Sequence, residues 1–169
     1  LRTQAYKRPR KPLIAFTPKQ LLRLPAASSA IEEFTSGSFT PVYSEVDSRV
    51  STHEVTKVLV CSGRVYYDLI HERAELGAWN TAIIRVEQLY PLPVDELRKA
   101  LATYPNAQVV WVQDEPKNQG AWPYFALNLF PELGITPALV SRPESATTAA
   151  GRASLHREQA ADILRRAFS

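Results

Sequence analysis

The stretch KVLVCSGRVYYDLIHERAELGAWNTAIIRV, Lys57 to Val86, decides the fold. Lys57 to Cys61 reads as a buried strand. Arg64 to Leu76 reads as a helix, with Val65, Leu69 and Ile70 on one face and Gly77 as its stop. Thr81 to Val86 reads as a second strand. The same order continues to the end of the chain. Pro93 to Ala102 reads as a helix with Asp95 and Glu96 in its first turn, where the helix dipole favours negative charge. Gln108 to Gln113 reads as a strand, Trp122 to Phe130 as a helix and Pro137 to Val140 as a strand. Leu155 to Phe168 reads as a helix, because Ala160, Ile163, Leu164, Ala167 and Phe168 recur at helical spacing. This alternation predicts an α/β domain: a three-layer α/β/α arrangement with a mostly parallel sheet. In such sheets function gathers at the carboxyl ends of the strands. Those ends are Ser62–Gly63, Glu87–Leu89, Gln113–Gly120 and Ser141–Arg142.

The preceding part is less regular. Residues 1–12 read as a linker, because Pro9 and Pro12 bracket a basic run and disfavour helix, and residues 13–169 read as the domain. Leu13 to Phe16 suits a short strand. Thr17 is placed to cap a helix that has Pro18 in its first turn and continues through Lys19 to Leu24. Ser29 to Phe34 suits a helical turn. Phe39 to Tyr43 suits an edge strand, where Pro41 costs no ladder bond. Glu45 to Glu54 reads as a polar surface loop.

Composition sets the class. With 169 residues, 45% hydrophobic and 22% charged, the chain is long enough for one domain with its own core. No apolar run has the length of a membrane span, and no secretory signal is visible behind Leu1. The chain has no Met, which suggests a fragment or a processed product. Cys61 is the lone cysteine and, at the end of a buried strand, reads as a core thiol. The net charge of +3 is concentrated at the two ends, in Arg2, Lys7, Arg8, Arg10 and Lys11 and in Arg152, Arg157, Arg165 and Arg166. No nucleic-acid-binding motif accompanies it, and neither nucleic acid nor membrane is an expected partner.

Candidate site residues follow from the strand ends. Ser62 and Gly63 join a strand to a helix N-terminus, whose free amides suit an anion, with Arg64 as a charge-assisted contact. The alternative is a tight turn that needs a small residue. Tyr66 and Tyr67 are neighbours on the helix and cannot both face the core, so an interface use is open to one of them. Arg85 and Glu87 flank Val86 and suit an ion pair between loops. Asp114 and Glu115 point to opposite faces of an extended chain, which disfavours a shared acid–base pair. Asp114 or Glu115 has Arg85 or Arg142 as a possible partner. The turn QDEPKNQGAWPY, Gln113 to Tyr124, is denser in amide, acid and indole groups than a solvent loop requires, so Asn118, Gln119 and Trp122 read as groups meeting a second surface. His53, His71 and His156 lack ligand spacing, so no metal is expected, and no nucleophile motif marks a catalytic residue.

RKPLIAFTPKQLLR (Arg10 to Arg23), CSGRVYYDL (Cys61 to Leu69), AIIRVEQLYPLP (Ala82 to Pro93), YPNAQVVWVQDEPKNQGAWPY (Tyr104 to Tyr124) and SRPESATTAAG (Ser141 to Gly151) occur in order. Together they resemble the C-terminal domain of the thiamine-diphosphate-dependent E1 component of 2-oxoglutarate dehydrogenase, bacterial type. The resemblance implies a transketolase C-terminal-domain-like fold. It also implies a homodimeric parent enzyme that decarboxylates 2-oxoglutarate in the tricarboxylic acid cycle and passes the succinyl group to the lipoyl-bearing E2 component. Thiamine diphosphate and Mg²⁺ would sit on upstream E1 domains absent here, so no cofactor is expected in this chain and the domain alone is expected to be inactive. Its implied roles are dimer architecture, support of active-site loops and binding of an AMP or acetyl-CoA effector, for which Ser62, Gly63 and Arg64 are the candidates. An independent adenine-nucleotide or acyl-CoA effector-binding module is the alternative. The implied location is bacterial cytoplasm, with the mitochondrial matrix as the alternative. The sequence departs from the family's usual residues at Arg64, where Lys is usual, at Asp114, where Glu is usual, and in the ESATTAAG stretch.

Overall fold

The computed structural model describes residues 2–17 and 19–169. In chain order the regular elements are α1 (Arg2–Tyr6), α2 (Ile31–Thr35), β1 (Val42–Tyr43), β2 (Lys57–Cys61), α3 (Val65–Leu76), β3 (Thr81–Val86), α4 (Val94–Ala102), β4 (Gln108–Pro116), α5 (Trp122–Leu133), β5 (Ala138–Arg142) and α6 (Ala153–Ala167). The strands form one sheet in the order β1-β3-β2-β4-β5. Every pairing is parallel except that of the short edge strand β1 with β3.

The centre of the sheet explains why β2 is apolar at consecutive positions. Val58, Leu59, Val60 and Cys61 are all buried, because helices cover both faces. Val58, Val60, Ile84 and Trp111 face α4 and α5 through Leu97, Ala100, Phe125, Leu129 and Phe130. Leu59, Cys61, Ile83 and Val112 face α3 and α6 through Val65, Leu69, Ile163 and Ala167. Each fully buried Val, Leu or Ile contributes about 1.5–3 kcal/mol, so these two cores carry the domain. Cys61 is a core thiol, and burial pushes its pKa well above the usual range.

The segment before β1 differs from its sequence reading. Residues Arg2–Tyr6 form a short helix within the expected linker. Leu13 to Phe16 form no strand, and both Ile14 and Phe16 are exposed. Among the described residues no strand pairs with them, and an unpaired run of apolar residues has no ladder to join. Lys19–Arg23 is a 3-10 helix rather than an α-helix, and the expected Pro18 start lies outside the described residues. β1 is confined to Val42–Tyr43 at the sheet edge.

Glu45 begins the expected surface loop, but its side chain turns inward. Its side chain is only 7% exposed and pairs with Arg73 of α3, itself 3% exposed. The same carboxylate accepts the N–H groups of Val46 (3.0 Å), Asp47 (2.9 Å) and Ile83 (2.8 Å). Arg73 Nη1 donates to the Thr81 carbonyl at 3.1 Å. A side chain therefore takes over where β1 stops and satisfies the free edge of β3, an otherwise adhesive row of donors.

Candidate functional site

Two neighbouring strands send their chains to opposite faces. α3 leaves β2 toward one face and α5 leaves β4 toward the other. This is a topological switch point, where doubly wound sheets open a crevice beyond the strand ends. Here the crevice has a volume of about 740 Å³. Ser62, Gly63, Arg64 and Val65 form one wall, and Asp114, Glu115 and Gly120 another. Leu89, Tyr90, Trp111, Tyr124 and Phe125 supply its apolar surface.

The β4 wall is shaped by a bulge. Val112 pairs with Val140 but Pro116 pairs with Arg142, so β4 spends extra residues between these points. The irregularity lets the Gln113 side chain organise the whole turn. Its amide nitrogen donates to the carbonyls of Glu115 (3.3 Å), Pro116 (3.0 Å) and Gln119 (2.8 Å). Its oxygen accepts from Trp111 Nε1 and from the Trp122 backbone N–H, each at 3.0 Å. The second contact caps α5, which has no capping side chain of its own. Gly120 closes the turn at φ 69°, and a Cβ there would lie 2.9 Å from Glu115 Cβ. Only glycine fits.

Arg64 bridges the walls. Its guanidinium donates to Asp68 at 2.6 Å and to Asp114. Asp114 also lies 3.6 Å from Arg142 Nη2, which is 3.0 Å from His156 Nδ1. The two positions noted as departures from the family's usual residues are therefore in direct contact. Arg64 is a longer cation than Lys, and Asp114 a shorter anion than Glu. Desolvation holds the Asp68 carboxyl above its usual pKa although Arg64 is beside it. Glu115 remains exposed at the rim.

The other candidates fall into two separate places. Arg85 lies between tyrosine rings, with its guanidinium carbon 4.3 Å from the centroid of Tyr66, 4.6 Å from Tyr43 and 5.7 Å from Tyr67. It also donates to the Tyr67 hydroxyl at 3.3 Å. Arg85 Nε sits 2.7 Å from Glu87 Oε1, but its N–H does not point at that oxygen, so the contact is an ion pair without a hydrogen bond. Asn118 and Gln119 turn away from the crevice. Asn118 exchanges hydrogen bonds with Ser145 at 3.0 and 3.1 Å, and Gln119 donates to Ser145 and Thr147 at 2.8 and 3.3 Å. They pin the loop ahead of α6. Trp122 packs on Phe130 with ring centroids 5.9 Å apart. The sequence marks the Gln113–Gly120 turn as a whole but singles out neither Gln113 nor Gly120 within it, and it does not single out Tyr90 or Tyr124. The one signal for Gln113 was an amide ending an apolar strand before a glycine turn.

Among the described residues, no group of three or more His, Cys, Asp or Glu side chains is placed to hold a metal ion. The crevice carboxylates Asp68 and Asp114 are engaged by Arg64 and form no such group. Among the described residues, no helix is long and apolar enough to cross a membrane.

Fold and crevice define a doubly wound α/β/α domain with its crevice at the carboxyl end of the sheet. The family model for the 2-oxoglutarate dehydrogenase C-terminal region matches residues 28–168, and the chain belongs to that family. It is 43% identical over its whole length to the 2-oxoglutarate dehydrogenase E1 component of Azotobacter vinelandii, of which it spans 18%. It is 42% identical over its whole length to that of Haemophilus influenzae, again spanning 18%. The 2-oxoadipate dehydrogenase complex component E1 of Mus musculus is 39% identical over the whole chain, which spans 19% of it. The chain therefore spans under a fifth of the length of these relatives.

Proposed function

We propose that this chain works as the C-terminal domain of a 2-oxoglutarate dehydrogenase E1, within a polypeptide that decarboxylates 2-oxoglutarate and passes the succinyl group to a lipoyl-bearing E2. The domain supplies architecture to an E1 homodimer and holds active-site loops in place; it does no chemistry alone. The observation that carries this reading is that the family match, residues 28–168, contains every residue of the crevice. Thiamine diphosphate supplies the carbanion chemistry of decarboxylation, and its site with Mg²⁺ belongs to parts of the longer polypeptide outside this chain. Tyr66, Tyr67, Arg85 and Glu87, with the crevice rim at Asp114 and Glu115 and the turn at Asn118, Gln119 and Trp122, are the groups that meet or support those parts. Bacterial cytoplasm is the location this reading implies.

The test is turnover of the longer polypeptide with thiamine diphosphate, Mg²⁺, 2-oxoglutarate and lipoylated E2. Succinylation of E2 is expected from it and none from the 169-residue chain. A long polypeptide that leaves 2-oxoglutarate untouched contradicts the reading.

A second reading is favoured by the N-terminus of α3, which opens on the crevice at Ser62, Gly63 and Arg64. Free amides there suit the phosphate of AMP or acetyl-CoA, whether in an E1 or in an independent effector module. Such a phosphate competes with Asp68 and Asp114 for Arg64. Calorimetric titration with each nucleotide checks this: binding that weakens several-fold in Arg64→Ala supports it, and binding unchanged by that substitution removes these residues from the effector site.

A further inference from the structure

Arg142, at the end of β5, is a buried cation with too little charge set against it. It is 7% exposed, and its Nε has no hydrogen-bond partner. Nη2 donates to His156 Nδ1 at 3.0 Å. The same nitrogen lies 3.6 Å from Asp114, which is long for a hydrogen bond, and Asp114 is already engaged by Arg64. A native fold rarely leaves a buried guanidinium so poorly matched unless an ion or ligand completes it.

A pocket of about 210 Å³ lies beside it, with Arg142, Ser145, Thr147, Thr148, Gly151 and Gln159 in its lining. Its wall is the loop that leads into α6. Among the described residues, no backbone N–H of residues 148–155 donates to a backbone carbonyl, and α6, 15 residues long, has no capping side chain. Free amides at the positive end of a helix suit an oxyanion. The Thr148 hydroxyl and the Gln159 amide also have no hydrogen-bond partner among the described residues. The loop is held ready from the β4 turn, through Asn118 on Ser145 and Gln119 on Ser145 and Thr147. The one acid in the lining, Glu144, is 66% exposed and has Lys117 as its partner. A larger groove of about 550 Å³ shares Arg142, Leu155 and Gln159 with the pocket. It runs along α6 past Glu158 to Arg165 and Arg166, two guanidiniums that share the Asp162 carboxylate. We propose that the pocket binds a phosphoryl group, either free phosphate or a small phosphomonoester whose body lies along the α6 groove. Arg142 supplies the charge, the amides of residues 148–155 the cradle, and Thr148 and Gln159 the side-chain hydrogen bonds. This site is apart from the crevice, since Asp114 stands between Arg142 and Arg64, and it does not depend on the E1 reading.

Hydrogen–deuterium exchange of the longer polypeptide, read by mass spectrometry, tests it. The probes are inorganic phosphate and glycerol 3-phosphate, each compared with chloride at equal ionic strength. Amides of residues 148–155 are expected to exchange several-fold more slowly with phosphate present, because the anion accepts their hydrogen bonds. Glycerol 3-phosphate acting at lower concentration than inorganic phosphate names a phosphomonoester as the ligand; inorganic phosphate acting at equal or lower concentration names the free ion. Either result supports the site. Gln159→Glu sets a carboxylate against the anion without touching the core, and is expected to raise the half-saturating concentration at least about ten-fold. Thr148→Val is expected to raise it several-fold, and Arg142→Gln to abolish protection, with melting as the check on folding. Where Arg142→Gln does not melt cooperatively, Gln159→Glu decides. Three results overturn the site: no protection of residues 148–155 by either probe, protection confined to residues 62–65, or protection that Gln159→Glu leaves unchanged.

Discussion

Two ion-pair clusters in this domain use the same chemistry for different ends. Glu45 and Arg73, at the free edge of β3, are 7% and 3% exposed. Three backbone N–H groups donate to Glu45, and Arg73 donates to the Thr81 carbonyl. Arg64 and Asp114, at the carboxyl edge, are 22% and 23% exposed. They face an open crevice and share their charges with Asp68 and Arg142. Burial decides the contrast. A dry pair with this many partners fixes one structure, even with Arg73 Nε left without a hydrogen bond, and breaking it is costly. A wet pair exchanges partners cheaply, which suits a surface that must meet something else.

Breaking the dry pair gives the largest expected effect. Glu45→Ala leaves buried Arg73 with only the more distant Asp47, 3.6 Å away, and the β3 edge without its acceptor. The expected loss is about 3–5 kcal/mol, read by urea unfolding of the domain. A loss below 1 kcal/mol would show that water reaches Arg73. Gln113→Leu is next. It keeps the side chain's bulk but strands Trp111 Nε1, the α5 N–H at Trp122 and the turn carbonyls. About 2–3 kcal/mol is expected, with faster amide exchange through residues 114–121.

The wet pair is sharpened by exchange rather than deletion. Arg64→Lys alone and Asp114→Glu alone should each disturb the bridge, one by losing the planar fork and the other by crowding. The two together should restore it. A coupling of about 1 kcal/mol or more in the double-mutant cycle is expected, read by urea unfolding of the domain; additive losses would separate the two residues.

The smallest effect lies beside the dry pair and is driven by pH. The Arg49 side chain, donating to Asp47, lowers the Asp47 pKa from 3.8 to about 2. A depressed carboxyl stabilises the fold above its unfolded pKa, and the contribution fades as pH falls through the folded one. Wild type should therefore lose stability relative to Asp47→Asn between about pH 4 and pH 2, and not above pH 5.

The sheet was legible because its signals are local. Lys57–Cys61 and Thr81–Val86 are apolar enough to read as buried strands, and Gly77 marks the end of α3. The carboxyl edge was half legible. The strand ends pointed to Ser62, Gly63, Arg64, Asp114 and Glu115, which do line one crevice. Nothing in sequence spacing places Tyr90 opposite Tyr124, since a whole crossover through α4 and β4 separates them. Glu45 was hidden for the same reason: in a polar stretch, only its distance from Arg73 and Ile83 shows it is buried. Leu13 to Phe16 misled because an apolar run implies a strand only when another strand lies beside it.

The most direct measurement sets the clusters against each other in the longer polypeptide. Asp114→Asn and Glu45→Ala would each be assayed for turnover of 2-oxoglutarate and for melting temperature. The account predicts that Asp114→Asn lowers turnover at least several-fold with little change in melting, while Glu45→Ala lowers melting and leaves the turnover of folded enzyme near normal. Full turnover in Asp114→Asn, with Glu45→Ala taking the catalytic loss, would contradict the assignment of function to the carboxyl edge.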